Sequence, residues 1–308
     1  MTTLSMEEYR GRYPDQTGEI PEDLRLFEIQ PEQIRLPKRN PVSHKYSYGR
    51  ALIIAGSTGY SGAPVLAAAS CERGGAGLTQ LVVPECIYAI AASRCDGAVV
   101  TPVPTSEAGG IRSEALRQIL PLLRKAAACA IGPGLGISQD TRELVECVMR
   151  EATCPLILDA DALTVCGRHR ECLSACRVPL ILTPHEGEFR RLGGDLTKGR
   201  LAAARKFTAE FPQAILILKG YGTLVCAGEE ISVNPTGCPA MAKGGSGDVL
   251  TGLLCALLAQ GFDSLFSARC AVYLHGMAGE LACAELGEYS VTPSDLIRFL
   301  PAAIRRIC

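Results

Sequence analysis

The sequence predicts an α/β fold: three α/β/α layers around a mainly parallel central sheet. Two observations carry that expectation. The segments at 51–55, 127–131, 155–158, 180–182 and 214–218 are continuous apolar runs, as in strands buried on both faces, 78–83 is a further, mainly apolar strand, and helical segments alternate with them. Polar or glycine-rich residues follow nearly every run at its carboxyl end, where ligands gather in such sheets.

The elements follow in order. Residues 1–44 are polar, proline-bearing and weakly periodic, with one short helix expected at 31–35; they read as an N-terminal extension or an arm toward a neighbouring subunit. The domain proper is expected at 45–308. Its first strand leads through Gly56, Gly59 and Gly62 into an alanine-rich helix at 63–73 that stops at Gly74-Gly75. The run at 127–131 enters Gly132-Pro133-Gly134-Leu135-Gly136, and a helix is expected over 138–151. The next strands end in Asp159-Ala160-Asp161, in Thr183-Pro184-His185 with a helix from Glu186, and in Lys219-Gly220 with a partner strand at 223–226. A long apolar helix is expected over 267–286, and Thr292-Pro293 caps a last one with proline at the first helical position.

Composition narrows the function. With 308 residues, 47% hydrophobic, 20% charged and a net charge of −1, the chain gives no reason to expect nucleic acid or an anionic membrane as partner. No apolar run reaches the ~18 residues of a membrane span. Residues 1–8 have neither the basic nor the apolar part of a signal peptide, so a cytoplasmic location is expected. Fifteen cysteines without a C-x-x-C pair read as reduced, largely core residues and argue against zinc.

The run Gly244-Gly245-Ser246-Gly247-Asp248 carries the most chemistry. Glycines let backbone N–H groups turn toward one point, and the helix expected over 249–258 adds partial positive charge there, which cradles a phosphate or oxyanion. A carboxylate beside an anion is costly unless it takes a proton. Asp248 therefore points to phosphoryl transfer onto a hydroxyl, with the acid as general base. A glycine loop with an acidic N-cap fits the same residues. Gly56-x-x-Gly59-x-x-Gly62 has neither the dinucleotide nor the P-loop spacing, and leaves a close ligand approach or a tight turn. Lys219-Gly220-Tyr221-Gly222-Thr223 is either a hairpin turn or a nucleotide-phosphate loop. His185 is a structural histidine or a site residue at a strand's carboxyl end. Glu188 either holds Mg2+ through water or complements the helix dipole. Asp159 and Asp161 fit capping or site polarity alike, and His275, on an apolar helix face, reads as a satisfied core residue.

Taken together, these motifs resemble the ADP/ATP-dependent NAD(P)H-hydrate dehydratases of the ribokinase-like superfamily, from about residue 43 to the C-terminus. The match runs through residues 45–49, Gly56-Ser57 with Ser61-Gly62-Ala63-Pro64, Gly132 to Gly136, Leu158-Asp159-Ala160-Asp161, Thr183-Pro184-His185, Lys219-Gly220-x-x-Thr223, and Asn234-Pro235-Thr236-Gly237 on to Asp248. The resemblance implies a ribokinase-like fold and a repair reaction. A hydrated nicotinamide cofactor, NADHX or NADPHX, is phosphorylated on its ring hydroxyl and then loses phosphate to give NADH or NADPH. The stand-alone bacterial look implies ADP as phosphoryl donor, with Mg2+. Asp248 would be the base; Ala63, Gly134, His185 and Asp248 would contact the hydrated cofactor. Lys219, Gly220, Tyr221, Gly222, Thr223, Gly244, Gly245, Ser246 and Gly247 would bind the adenine nucleotide, and Glu188 the metal. A cytoplasmic homo-oligomer, a tetramer, is also implied.

Three positions depart from the family's pattern. Glu186 stands where a second proline is common, Cys238 where asparagine is frequent, and Lys243 where a small hydroxyl residue is usual, which would bring positive charge to the anion hole. The epimerase domain fused to many relatives is not expected here, so dehydratase activity alone is predicted. The competing readings are a ribokinase-like kinase for a small alcohol, of hydroxymethylpyrimidine or hydroxyethylthiazole type, and a non-catalytic nucleotide-binding module.

Overall fold

The computed structural model describes residues 2–14, 18 and 24–308. Its strands are β1 (Thr2–Thr3), β2 (Arg25–Glu28), β3 (Arg50–Ile54), β4 (Leu78–Pro84), β5 (Val99–Val103), β6 (Ala128–Ile131), β7 (Leu156–Leu158), β8 (Leu180–Leu182), β9 (Ala214–Leu218), β10 (Leu224–Ala227) and β11 (Glu230–Val233). They form one sheet in the order β1-β2-β11-β10-β9-β8-β7-β6-β3-β4-β5. From β9 to β5 every neighbouring pair is parallel, so the carboxyl ends of these strands share one edge. β9, β10 and β11 form an antiparallel meander, and β2 joins its far side parallel to β11. The expected α/β class with a mainly parallel sheet is what the chain adopts.

The helices are α1 (Met6–Arg12), α2 (Gly62–Arg73), α3 (Glu85–Ala92), α4 (Leu116–Leu123), α5 (Gln139–Glu151), α6 (Asp161–Cys166), α7 (Glu171–Ala175), α8 (Glu186–Arg191), α9 (Arg200–Glu210), α10 (Ser246–Ala259), α11 (Ser264–Leu286) and α12 (Pro293–Arg305). Successive strand residues point to opposite faces. Leu52, Ile54, Cys129 and Leu158 pack on one side with Leu144, Leu163 and Phe207; Ala51, Ile53, Ala130 and Ile157 pack on the other with Val249, Leu253 and Leu274. Both faces are covered, which is why the strands read as unbroken apolar runs rather than alternating ones. On the second face α10 lies against α2 at backbone distance: a Cβ on Gly252 would come within 2.0 Å of the Ala67 carbonyl oxygen.

The described part of residues 1–44 folds onto its own chain. β2 pairs with β11, Leu26 enters the core, α1 buries Tyr9, and Tyr13 at the end of that helix is buried as well. The helix expected at 31–35 is a single 3-10 turn, Pro31–Gln33. At the opposite margin β5 carries Pro102, which a sheet edge tolerates because no partner needs its missing N–H. All fifteen cysteines are free, but six of them, including Cys238, are not fully buried.

Candidate active site

The parallel strands deliver their following loops to one edge. There β3 leads to Gly56–Ala63, β6 to Gly132–Gly136, β7 to Asp159, β8 to His185 and β9 to Lys219. Across the same edge lies the amino end of α10. Gly245 is its N-cap, with a φ of 98° that glycine adopts without strain; Ser246 and Gly247 open the helix, and Asp248 is third. Asp248 therefore sits inside the helix rather than at its cap.

Charge is concentrated beside that helix end. The Lys219 ammonium is 3.0 Å from Asp159 Oδ1, 3.6 Å from Glu188 Oε2, and 3.4 Å from where a Cβ on Gly247 would be. Asp159 is 1% exposed and fully engaged: Oδ1 accepts from Lys219 and from Thr183 Oγ1, Oδ2 from Thr251 Oγ1. The next residue, Ala160, has a φ of 50°, the only non-glycine among the described residues with a positive value. That strained turn sends Asp161 away, where its carboxylate accepts the Gly136 N–H at 2.8 Å.

Burial works against the Lys219 ammonium, yet Asp159, Glu188 and Asp248 outweigh it and hold its pKa above the ordinary lysine value. Asp248 feels the reverse. Burial, then Asp159, Asp161 and Glu188, push its carboxyl up to about 7, and Lys219 offsets only part of this. A carboxyl near neutrality can both take and keep a proton, as a general base requires.

The residues expected to meet a hydrated cofactor gather next to this cluster. A Cβ on Gly134 would lie 3.2 Å from the Ala63 Cβ and 2.8 Å from the Tyr60 Cβ, and Ser57 Oγ donates to the Gly134 carbonyl at 2.8 Å. His185 caps α8: its Nδ1 accepts the N–H groups of Gly187 and Glu188 at 2.9 and 3.3 Å, leaving Nε2 to carry the ring proton.

On the other side of Lys219 a cavity of about 540 Å3 is lined by the loop Lys219–Thr223, by Asn234–Pro239, and by Ser246 and Gly247. Every nucleotide residue expected from the sequence lines it except Gly244 and Gly245, which lie immediately before Ser246. Three further wall or support residues had no signal strong enough to find. Tyr13 comes from the N-terminal segment. Arg200 is a solitary arginine that donates to the carbonyls of Tyr221 and Leu218, both at 2.8 Å. His275 was expected to be a satisfied core residue, but its Nε2 is buried without a hydrogen-bond partner and its ring lines the cavity. Burial drives its pKa down to about 4, so the imidazole is neutral; the backbone of Ser246 opposes this in part.

The departures also find partners. Glu186 lies 3.5 Å from Arg200 Nε and 3.3 Å from Arg190, so its charge is neutralised beside the site. The Lys243 ammonium donates to the Tyr289 carbonyl at 2.7 Å, so the positive charge it was expected to bring to the anion hole is committed elsewhere.

Among the described residues no group of three or more His, Cys, Asp or Glu side chains is arranged to hold a metal. Glu188 Oε2 accepts the His185 N–H at 2.9 Å and faces Lys219, while Oε1 is 3.4 Å from His185 Nε2. These donors do not fit a protein-made Mg2+ cage. The ion's usual habit of taking phosphate oxygens, waters and few carboxylates leaves it to a bound nucleotide.

The NAD(P)H-hydrate dehydratase family model matches residues 51–302. The bifunctional NAD(P)H-hydrate repair enzyme Nnr of Moorella thermoacetica is 37% identical over 278 residues, 89% of this chain and 52% of that protein. The Nnr of Gloeobacter violaceus is 39% identical over 85% of this chain and 51% of its own length. The chain thus spans about half the length of the curated relatives it matches. Among solved structures, the ADP/ATP-dependent NAD(P)H-hydrate dehydratase of Bacillus subtilis, co-crystallised with ATP/Mg2+, superposes with a TM-score of 0.71 at 29% identity, covering 94% of this chain and all of that one. A ribokinase-like superfamily protein of Enterococcus faecalis gives 0.82 at 26% identity over 95% of this chain and 99% of its own. The expected ribokinase-like fold is thereby borne out. With a match that runs from the first core strand into the last helix, the chain belongs to the NAD(P)H-hydrate dehydratase family.

Proposed function

We propose that this chain dehydrates (6S)-NADHX and NADPHX to NADH and NADPH, consuming ADP and releasing AMP and phosphate. The observation that carries the reading is Asp248. It is a carboxyl with a pKa near 7 in the first turn of a helix whose amino end faces an ammonium.

The hydrated cofactor would lie over Ala63, Gly134 and His185, with its ring hydroxyl toward Asp248. The nucleotide would fill the cavity bordered by Lys219–Thr223 and Gly244–Gly247. Asp248 takes the hydroxyl proton as that oxygen attacks the terminal phosphorus of ADP, and AMP leaves. Lys219 and the amino end of α10 stabilise charge on the transferring group. The carbon–oxygen bond then breaks with the electron pair on phosphate, the ring nitrogen supplies electrons to the vacated carbon, and loss of a proton from the adjacent carbon restores the dihydropyridine. Phosphorylation thus serves as activation of a poor leaving group.

Mg2+ would arrive on the nucleotide phosphates, where it would neutralise part of their charge. The same reading covers ADP as donor, a cytoplasmic location and a homotetramer. Among the described residues no helix is long and apolar enough to cross a membrane.

Incubating the purified chain with NADHX and ADP tests the reading. NADH absorbance should appear with one AMP per NADH; a stable phosphate ester in its place would favour the small-alcohol kinase. Running ATP in parallel decides the donor, and sedimentation velocity reads the assembly.

A further inference from the structure

The loop Lys219–Thr223 is held from outside by two residues, and one of them lies upstream of the family match. Arg200, 5% exposed at the start of α9, donates to the carbonyls of Leu218 and Tyr221 at 2.8 Å and of Gly222 at 3.4 Å. On the other side Tyr13, 4% exposed, sets its ring 5.2 Å from that of Tyr221 and presses against Gly222. Gly222 has a φ of 59°, and a Cβ there would come within 2.5 Å of Tyr13 Cε1. The ring therefore needs Gly222 to lack a side chain, and the positive φ is one that glycine adopts without strain. Tyr13 is itself anchored: its ring lies 5.1 Å from that of Tyr9, which is fully buried, and burial raises the pKa of both phenols.

We propose that Tyr13, from the N-terminal segment, is a positioning residue for the adenine-nucleotide site, fixing the Lys219–Thr223 loop against Arg200 in its ligand-receiving form. The inference rests on the nucleotide reading of that cavity. A loop held rigid before binding loses less freedom on capture, so the effect falls on nucleotide affinity and leaves the reacting groups untouched.

The test compares Tyr13→Ala, Tyr13→Leu and Tyr13→Phe in the full chain. Binding of a fluorescent ADP derivative, KM and kcat for each substrate, and thermal unfolding are measured. Tyr13→Ala and Tyr13→Leu should weaken nucleotide binding and raise its KM about tenfold. Their kcat should stay within about twofold and the KM for the hydrated cofactor should not move; Tyr13→Phe should bind as the parent does. Leucine fills much of the ring's volume, so it reports on positioning even where alanine lowers stability. Unchanged nucleotide binding in folded Tyr13→Leu overturns the inference, and so does an equal loss for both substrates. If the parent chain binds neither ADP nor ATP, the nucleotide reading itself fails, a result distinct from either.

Discussion

At the scale of single residues, Asp248 is the side chain on which activity should turn. Asp248→Asn should lower kcat by about 10²–10⁴-fold while leaving nucleotide binding within about twofold. Because the base form exists only above its pKa, kcat/KM should climb with pH to a plateau above about 7, and the asparagine variant should lack that limb. The neighbouring ammonium tunes the value. Lys219→Met removes a cation that lowers the Asp248 pKa, so the rising limb should move to higher pH in whatever activity remains. It also leaves buried Asp159 without its counter-charge, a loss of about 3–5 kcal/mol in comparable buried pairs, which chemical denaturation would read.

At the scale of elements, the amino end of α10 depends on a single left-handed residue. Gly245→Ala would meet Leu66 Cδ1 at 2.8 Å and Pro293 Cγ at 2.9 Å with φ at 98°. It should cost about 1–3 kcal/mol and weaken nucleotide binding as the helix end shifts; thermal unfolding with and without ADP separates the two effects. This helix was legible as a phosphate cradle because glycine run, acid and apolar stretch are adjacent in sequence. The parallel strands were legible for a similar reason, since burial on both faces leaves an unbroken apolar mark. Arg200 and Tyr13 were not. What they do is defined by backbone carbonyls and a glycine far away in the chain, and no local spacing records such a contact. His275 was misread because its helix is apolar in sequence, whereas that stretch of α11 faces a cavity as well as core.

At the scale of the whole molecule, two partly buried groups act on stability with opposite pH windows. The Asp248 carboxyl rises from 3.8 to about 7 on folding, so the folded state binds the extra proton; the stability this lends is present below 3.8 and is lost as pH rises through about 7. His275 falls from 6.5 to about 4, so its contribution is present above 6.5 and is lost as pH falls toward 4. Asp248→Asn should therefore raise Tm at pH 8 by a few degrees, and His275→Gln should flatten the decline between pH 6.5 and 4; calorimetry from pH 4 to 8 checks both. The sheet margin gives a third expectation. Leu26 is 1% exposed in β2, and Leu26→Ala should cost about 2–5 kcal/mol, read by urea unfolding.

The pairing of β2 with β11 also bears on the order in which the molecule is completed. Leu26 lies opposite Ile231, so this contact closes one of the longest loops in the chain, and such closures come late because their entropy is spent before any contact repays it. The helix carrying Tyr9, with Tyr13 at its C-cap, hangs from that closure through β1, which among the described residues pairs only with β2. Tyr13 precedes every other residue of the nucleotide-cavity wall in the chain, yet it reaches its station only after β9, β10 and β11 have formed. The wall of the nucleotide cavity would then be completed late in folding, when the two distant parts of the chain have met.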